Sequence, residues 1–399
     1  MAQDSERLTI LSDAEQFALY ALPDFDDNQR MHYLSFSETE LKLIFSRKEI
    51  HSQMHCALQI GYFKAKYAFF IFSWSQTETD CQFILERYFG DQTWIPKSVT
   101  KHEYYTQRTA IAYLFNYHLW SAKFLPQLVN KANHSVHRDV SPRFIVAELL
   151  IYLNENRIIR PAHTTLQTLI SETLSAERER LSKLLINMLD EPSQNIIQQL
   201  LIRDEALSGL AILKQGAKHF GYRQMVLERQ KRTTLAPIYE IVTRLLPKLA
   251  ISRQNLSYYA SLTNFYTIYD LRRLKPEQTY LYLLCYAWQR YRQFTDNLID
   301  ALGYHMKLLE DQTKNKAKKK YAIEQAGRQQ ETRQVGRLLL LYVDSEVADT
   351  LPFGTVRERA FSIIPKHTLE IIGHRLSQKP VSELSLRWQM VDDLNNCSN

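Results

Sequence analysis

Glycine and proline are scarce: 10 and 12 of 399 residues, where a typical domain carries roughly 12% of the two together. So few turn-makers exclude sandwiches, propellers and doubly wound α/β sheets, all of which need many tight connections. Cysteine is sparse too. Cys56, Cys81, Cys285 and Cys397 stand alone, with no CxxC pair, which speaks against a zinc ribbon or a disulfide framework and for a reducing compartment, the cytoplasm. Long apolar runs are missing. The greasiest stretches, residues 67–74 and 338–343, fall far short of the ~18 residues that a membrane span requires, and the acidic, polar amino terminus does not read as a signal peptide. No GxxxxGK[ST], GxGxxG or HExxH occurs, so neither a phosphate loop nor a metalloprotease site is expected. His51 with His55, and His134 with His137, have helical spacing but no third ligand beside them, and carboxylate pairs such as Asp26/Asp27 and Asp392/Asp393 sit in polar segments. The expectation is therefore no catalytic residue, no metal, no cofactor, no small-molecule ligand and no membrane partner.

What is present reads as helix. Hydrophobic residues make up 45% and charged residues 23% of the chain, ordinary for a folded protein. Ser12–Glu15, Ser37–Glu40, Thr100–Glu103 and Thr164–Gln167 each have the spacing of a capping box ahead of an apolar run. After Thr164, leucines and isoleucines recur on one helical stripe until Pro192. The fold class expected is all-α: short, helix-turn-helix-like modules followed by a longer helical scaffold. Helices are predicted over 13–21, 27–34, 38–46, 48–72, 79–89 and 100–119, and residues 130–142 read as a polar linker. The division expected is a first module at 1–75, a second at 76–135, a scaffold at 136–310 that offers a third DNA-contacting or dimerisation domain, and a basic linker with C-terminal helices at 311–399.

Charge is uneven. Residues 1–41 hold nine acids and two bases, whereas residues 42–143 hold thirteen bases and seven acids; the whole chain is at +7. An acidic leader before a basic, aromatic-rich stretch suggests one surface facing a polyanion. Five lysines between Lys314 and Lys320 read as a solvated helix or linker, or as a phosphate-contacting arm. The aromatic run Tyr280–Tyr291 reads as helix core.

Four segments in order carry a resemblance. They are Leu11-Ser-Asp-Ala-Glu-Gln with Leu22-Pro-Asp-Phe-Asp; Tyr33-Leu-Ser-Phe-Ser-Glu-Thr-Glu-Leu41; His51-Ser-Gln-Met-His-Cys-Ala-Leu-Gln-Ile60; and the stretch from Arg157 to Ile170, supported by Phe294–Asp300 and Phe353–Phe361. Together they resemble the amino-terminal region of TnpA-type transposases, the replicative enzymes of cointegrate-forming class II transposons. The resemblance implies consecutive helical modules that bind the double-stranded DNA of terminal inverted repeats, with the catalytic acidic triad of such proteins lying further downstream, so that this chain is expected not to be an enzyme on its own. It also allows a homodimer or pairing with full-length transposase. Where the family usually shows Asn-Arg-Leu-Gly-Phe-Ala, this chain has Ser52-Gln-Met-His-Cys-Ala57, and a family histidine falls on Ala110, although Thr106 and Arg108 are kept. The alternative reading is a helical interaction fragment that has lost DNA recognition and regulates an intact transposase.

Three groups are candidates for contact with DNA. In the first, Arg47, Lys48, His51, Lys64 and Lys66 supply cations around helix 48–72 while Gln53 reads base edges. In the second, Lys97, Lys101, Thr106 and Arg108 stand at a helix start among tyrosines. In the third, Arg157, Thr164 and Thr165 lie at a helix boundary, with Thr164 as its expected cap.

Overall fold

The computed structural model describes residues 8–90, 92, 94–202 and 209–396. Among them there are eighteen α-helices and no strand; one isolated bridge joins His118 to Ile158. The all-α expectation holds. Cys397 lies outside the described residues.

The first helices begin where their side-chain chemistry says they should. α1 (Asp13–Tyr20), α2 (Asp27–Tyr33) and α3 (Glu38–Phe45) each start on a complete capping box, from Ser12 and Glu15, Asp26 and Gln29, and Ser37 and Glu40. The Glu15 carboxylate, bonded to the Ser12 amide and hydroxyl and then to Arg143, is held down to about 2. The next helix is the spine of the unit. α4 (Ile50–Lys66) buries Met54 and every residue from Cys56 to Phe63, and α2, α3, α5 (Glu78–Ile84) and α6 (Lys101–Leu114) pack around it. Gly61 is what allows α2 to come so close, since a Cβ there would collide with the buried Leu34 side chain.

α4 is shorter than the sequence suggests. It ends at Lys66 rather than at 72, because Tyr67 turns left-handed at φ 50° and the aromatic run beyond it leaves the helix to face the core. The extended backbone that follows needs partners, and the buried Gln59 supplies them: its amide nitrogen donates to the Phe70 carbonyl at 2.6 Å and its oxygen accepts from the Phe70 amide at 3.4 Å. α5 continues into a π turn, Leu85–Phe89. One apolar cluster runs from Phe25 through Ile111 and Ala112 to Ile159, so the sequence boundary drawn at residues 75 and 76 falls inside a shared core.

Residues 130–142 are not a linker. They belong largely to α7 (Leu125–Arg138), which buries Leu128, Ala132, Ser135 and Val136 against α8 (Pro142–Glu155) and α9 (His163–Met188). The polar composition misled because the exposed face of an amphipathic helix is polar by construction. Thr164 is not a cap either: α9 begins one residue earlier, after Ala162, with no side-chain cap, and Gln167 donates to the Leu8 carbonyl at 2.9 Å. The expected Thr100–Glu103 box is half formed. Thr100 caps α6, but the Glu103 carboxylate accepts from the Ser52 hydroxyl instead of turning back.

Further helices are α10 (Glu191–Gln199), α11 (Gly209–Lys214), α12 (Tyr222–Leu249), α13 (Arg253–Phe265), α14 (Ile268–Arg273), α15 (Pro276–Leu341), α16 (Phe353–Ile363), α17 (Lys366–Ser377) and α18 (Glu383–Asn396). The chain divides into two compact units, residues 1–216 with 230–293 and residues 217–229 with 294–399. In the first unit, Tyr280–Ala287 of α15 is entirely buried, as its helical spacing led us to expect. In the second, Leu338, Ile364 and Ile372 form a small core and Arg375 pairs with Glu331 at 2.5 Å. The five lysines from Lys314 to Lys320 all lie on α15 and are exposed, so this tract is a solvated helix and not a linker. No described helix is long and apolar enough to cross a membrane.

Candidate nucleic-acid interface

α4 and α6 lie side by side and point the same way. The Ser52 hydroxyl donates to Glu103, Gln107 Nε2 donates to the Ser52 carbonyl and hydroxyl at 3.1 and 2.9 Å, and His55 Nδ1 meets Gln107 Oε1 at 2.6 Å. The pairing of 52 with 103 and 55 with 107 ascends together along both helices, which places both amino termini at one end. α4 has no side-chain cap at Glu49, so its first amide N–H groups are not met by a capping side chain, and two parallel helix dipoles present their positive ends to the same surface.

The candidate cations divide into spent and free. Lys64 donates to the Ser35 carbonyl at 2.7 Å and sits 3.5 Å from Glu40, and Lys66 donates to the Ala21 carbonyl at 2.8 Å. Both ammonium groups therefore tie neighbouring segments to α4. Gln53 donates to the Arg47 carbonyl at 2.7 Å, closing the turn ahead of the helix. The groove-inserting helix is corrected in extent: its middle turns are enclosed, and of the two ends that reach the surface the last turn is tied down through Lys64 and Lys66, which leaves the first turn of α4 and the residues before it. Lys48, Lys97 and Lys101 are exposed, and none makes an ion pair with a described residue. His51 is half-buried beside them in sequence. The acidic neighbours are Glu49, which is exposed, and Glu103, which is turned inward onto Ser52.

Arg108 is held by aromatic rings. Its guanidinium lies 5.1 Å from the Phe69 ring centre, 5.3 Å from that of Tyr104 and 5.9 Å from that of Tyr105, an arrangement that fixes a cation without neutralising it. Thr106 is exposed and its hydroxyl donates to the His102 carbonyl. The third group lies apart from these contacts. Arg157 is exposed at φ 51°, its carbonyl accepting from the His118 amide at 2.7 Å. Thr164 is exposed and Thr165 lines a groove with Leu125 and Val129.

Sequence reasoning weighed His55 as a metal ligand without companions and as a departure from the related motif. Among the described residues no three His, Cys, Asp or Glu side chains converge to hold a metal; His55 instead stacks on Phe72 at 5.2 Å and bonds to Gln107. Because Gln107 Nε2 is committed to Ser52, its oxygen must accept, so His55 carries its proton on Nδ1. Burial, partly opposed by the Gln107 bond and Glu103, lowers the His55 pKa below its usual 6.5. A depressed histidine pKa means that the unfolded chain binds the proton first. Stability is therefore complete above about pH 6.5 and declines as pH falls towards the folded-state value. We expect a urea-denaturation series to show this slope, no steeper than about 1.4 kcal/mol per pH unit for one proton, and His55→Gln to flatten that share of it. The aromatic residues Phe69, Phe72 and Trp74 were not singled out, the first two being read as part of helix 48–72.

Residues 10–173 match a family described as a domain of unknown function, DUF4158. The chain is 22% identical over 363 residues to the transposase for transposon Tn3926 of Escherichia coli, a match that takes in 88% of this chain and 35% of that protein. It is 21% identical over 362 residues to the transposase for transposon Tn21 of Escherichia coli, with the same two shares. The chain thus spans about a third of the length of the curated relatives it matches, in their amino-terminal part.

Proposed function

We propose that this chain, a distant relative of the amino-terminal third of Tn3-family transposases, binds duplex DNA through the common amino-terminal end of α4 and α6, and that its target is the terminal inverted repeat of a transposon. Its part is recognition rather than strand transfer. One observation carries the reading: Lys48, Lys97 and Lys101, exposed and without an ion-pair partner among the described residues, stand around two parallel helix starts. Cations and free backbone amides together suit phosphate oxygens. Arg108, stacked among rings, adds a pre-oriented fork of donors, while Gln53, bonded to the Arg47 carbonyl, shapes the turn that leads into α4, Lys64 and Lys66 brace the helix, and Arg47 and His51 add cationic groups beside its start. Arg157, Thr164 and Thr165 would reach a second segment of the same duplex.

Fluorescence anisotropy with a terminal-repeat duplex and a scrambled duplex of equal length tests this. We expect the repeat to bind more tightly and both affinities to fall steeply with salt. Each neutralised phosphate contributes about 0.9 to the slope of log affinity against log salt, so Lys48→Ala, Lys97→Ala and Lys101→Ala combined should make it shallower by about 2–3. An unchanged slope would remove these lysines from the interface. Equal affinity for the scrambled duplex would remove sequence recognition.

A further inference from the structure

Beside the same helix start lies a cleft of about 520 Å³, lined by His55, Ile71, Phe72, Trp74, Lys101 and Tyr104 together with Ser73, Ser98 and Val99. Its size falls in the roughly 300–1,000 Å³ range of small-ligand sites. Four of these residues carry aromatic rings that hold one another in place. Trp74 meets the rings of His55 and Phe72 edge-on at 6.3 and 6.2 Å, Tyr104 meets His55 at 5.9 Å, and Trp94 buttresses Trp74 at 4.8 Å. The Trp74 indole N–H donates to the Lys97 carbonyl at 3.3 Å, which pins the lysine-bearing segment to the ring wall. Apolar surface is left uncovered at this edge: Ile71 is 90% exposed and Ile95 83%.

Rings and the Lys101 cation in one concavity, with Lys97 on the segment that Trp74 holds beside it, select a flat, π-rich group attached to an anionic strand. A duplex shows its phosphates but keeps its base faces stacked, so it satisfies the lysines and leaves the rings bare. An unpaired nucleotide satisfies both, since a base stacks on an aromatic face irrespective of sequence while its backbone follows the cations. An apolar peptide would fill the cleft but leave Lys97 and Lys101 uncompensated. We propose that this cleft receives an unstacked nucleobase from single-stranded or locally opened DNA next to the bound duplex. The proposal rests on the DNA-binding reading above and goes beyond it, because a purely duplex-binding surface needs no such cleft.

The test uses the full chain and three probes: a ten-residue thymidine strand, an abasic strand of the same length, and the terminal-repeat duplex. Intrinsic tryptophan fluorescence and anisotropy are followed for wild type and for Trp74→Ala, with circular dichroism and thermal melting to confirm that the variant is folded. We expect the thymidine strand to quench tryptophan emission and to bind about tenfold more tightly than the abasic strand. In Trp74→Ala that advantage should disappear, and any loss of duplex affinity through release of the Lys97 segment should be smaller than the loss for the thymidine strand. The comparison of thymidine with abasic strand in wild type stands even if the variant does not fold. Equal binding of the two strands, or an advantage that survives in a folded Trp74→Ala, overturns the cleft while leaving duplex binding intact. Failure of all three probes to bind overturns both readings together.

Discussion

Replacing Asp80 with alanine is expected to lower folding stability by about 3–5 kcal/mol in a denaturant titration, the usual consequence of removing one partner from a buried ion pair. The Asp80 carboxylate is 6% exposed. It accepts from Arg30 Nε at 2.8 Å and from the Tyr62 hydroxyl at 2.7 Å. Tyr62 is fully enclosed, and burial, followed by the neighbouring Asp80 charge, pushes its phenol pKa well up. The hydroxyl is held as the proton donor to Asp80. Without Asp80, the phenol loses its acceptor in a place that water does not reach, and the guanidinium, whose side chain is 13% exposed, keeps only Asp27. The informative control is Asp27→Ala. Asp27 also meets Arg30 at 2.8 Å, but its side chain is 99% exposed, and exposed pairs contribute about 0–1 kcal/mol. If the two variants proved equally mild, the Arg30–Asp80–Tyr62 group would not be the tie between α2, α4 and α5 that its geometry describes.

Asn255→Ala should cost about 2–6 kcal/mol, since two buried backbone groups would each lose a partner at roughly 1–3 kcal/mol apiece. Asn255 Oδ1 accepts from the Val140 amide at 2.8 Å and its Nδ2 donates to the Val136 carbonyl at 2.7 Å. The adjacent Ser252 hydroxyl donates to the Arg138 carbonyl at 2.8 Å. The start of α13 thus caps the end of α7 from more than a hundred residues away, in the role that a local C-cap usually plays. Hydrogen exchange offers a sharper readout than global stability: protection of the Val140 amide should fall in Asn255→Ala and survive in an exposed α13 substitution such as Gln254→Ala. Retained protection would show that the bond is dispensable.

These two sites mark where the sequence was readable and where it was not. The capping boxes of α1 and α3 lie within three residues of themselves, so Ser12 with Glu15 and Ser37 with Glu40 could be recognised by eye. The aromatic segment 280–291 was legible for a related reason, because a helix apolar on most faces has no alternative to burial. Asn255, by contrast, gives no local sign of what it bonds. The stretch 130–142 looked like a linker because its partner surface comes from α8, α9 and α13. Gln59, polar and mid-helix, disguised the fact that α4 ends early and that the aromatic run turns back on it.

The candidate interface shows the same division. Lys97, Lys101 and Arg108 could be singled out because cations interleaved with tyrosines at a helix start are a local pattern. Lys64 and Lys66, in the last turn of α4, are likewise cations among aromatic residues, yet their ammonium groups are occupied by the Ser35 and Ala21 carbonyls, and only the packing of earlier segments against α4 reveals it. His55 stands where the related motif has glycine, and nothing local says why. In the fold it is the hinge-pin between α4 and α6.

The sequence alone determined the helical class, the places where the first six helices begin to within about two residues, and the excess of cations after residue 41, because periodicity, caps and charge are properties of neighbours along the chain. Only the tertiary structure decided which lysines are free, that α4 and α6 start at one common end, and that four rings close around a cleft. Those depend on pairings such as Ser52 with Glu103 and Trp74 with Lys97, and a hydrogen bond between residues far apart along the chain leaves no mark on the spacing of either.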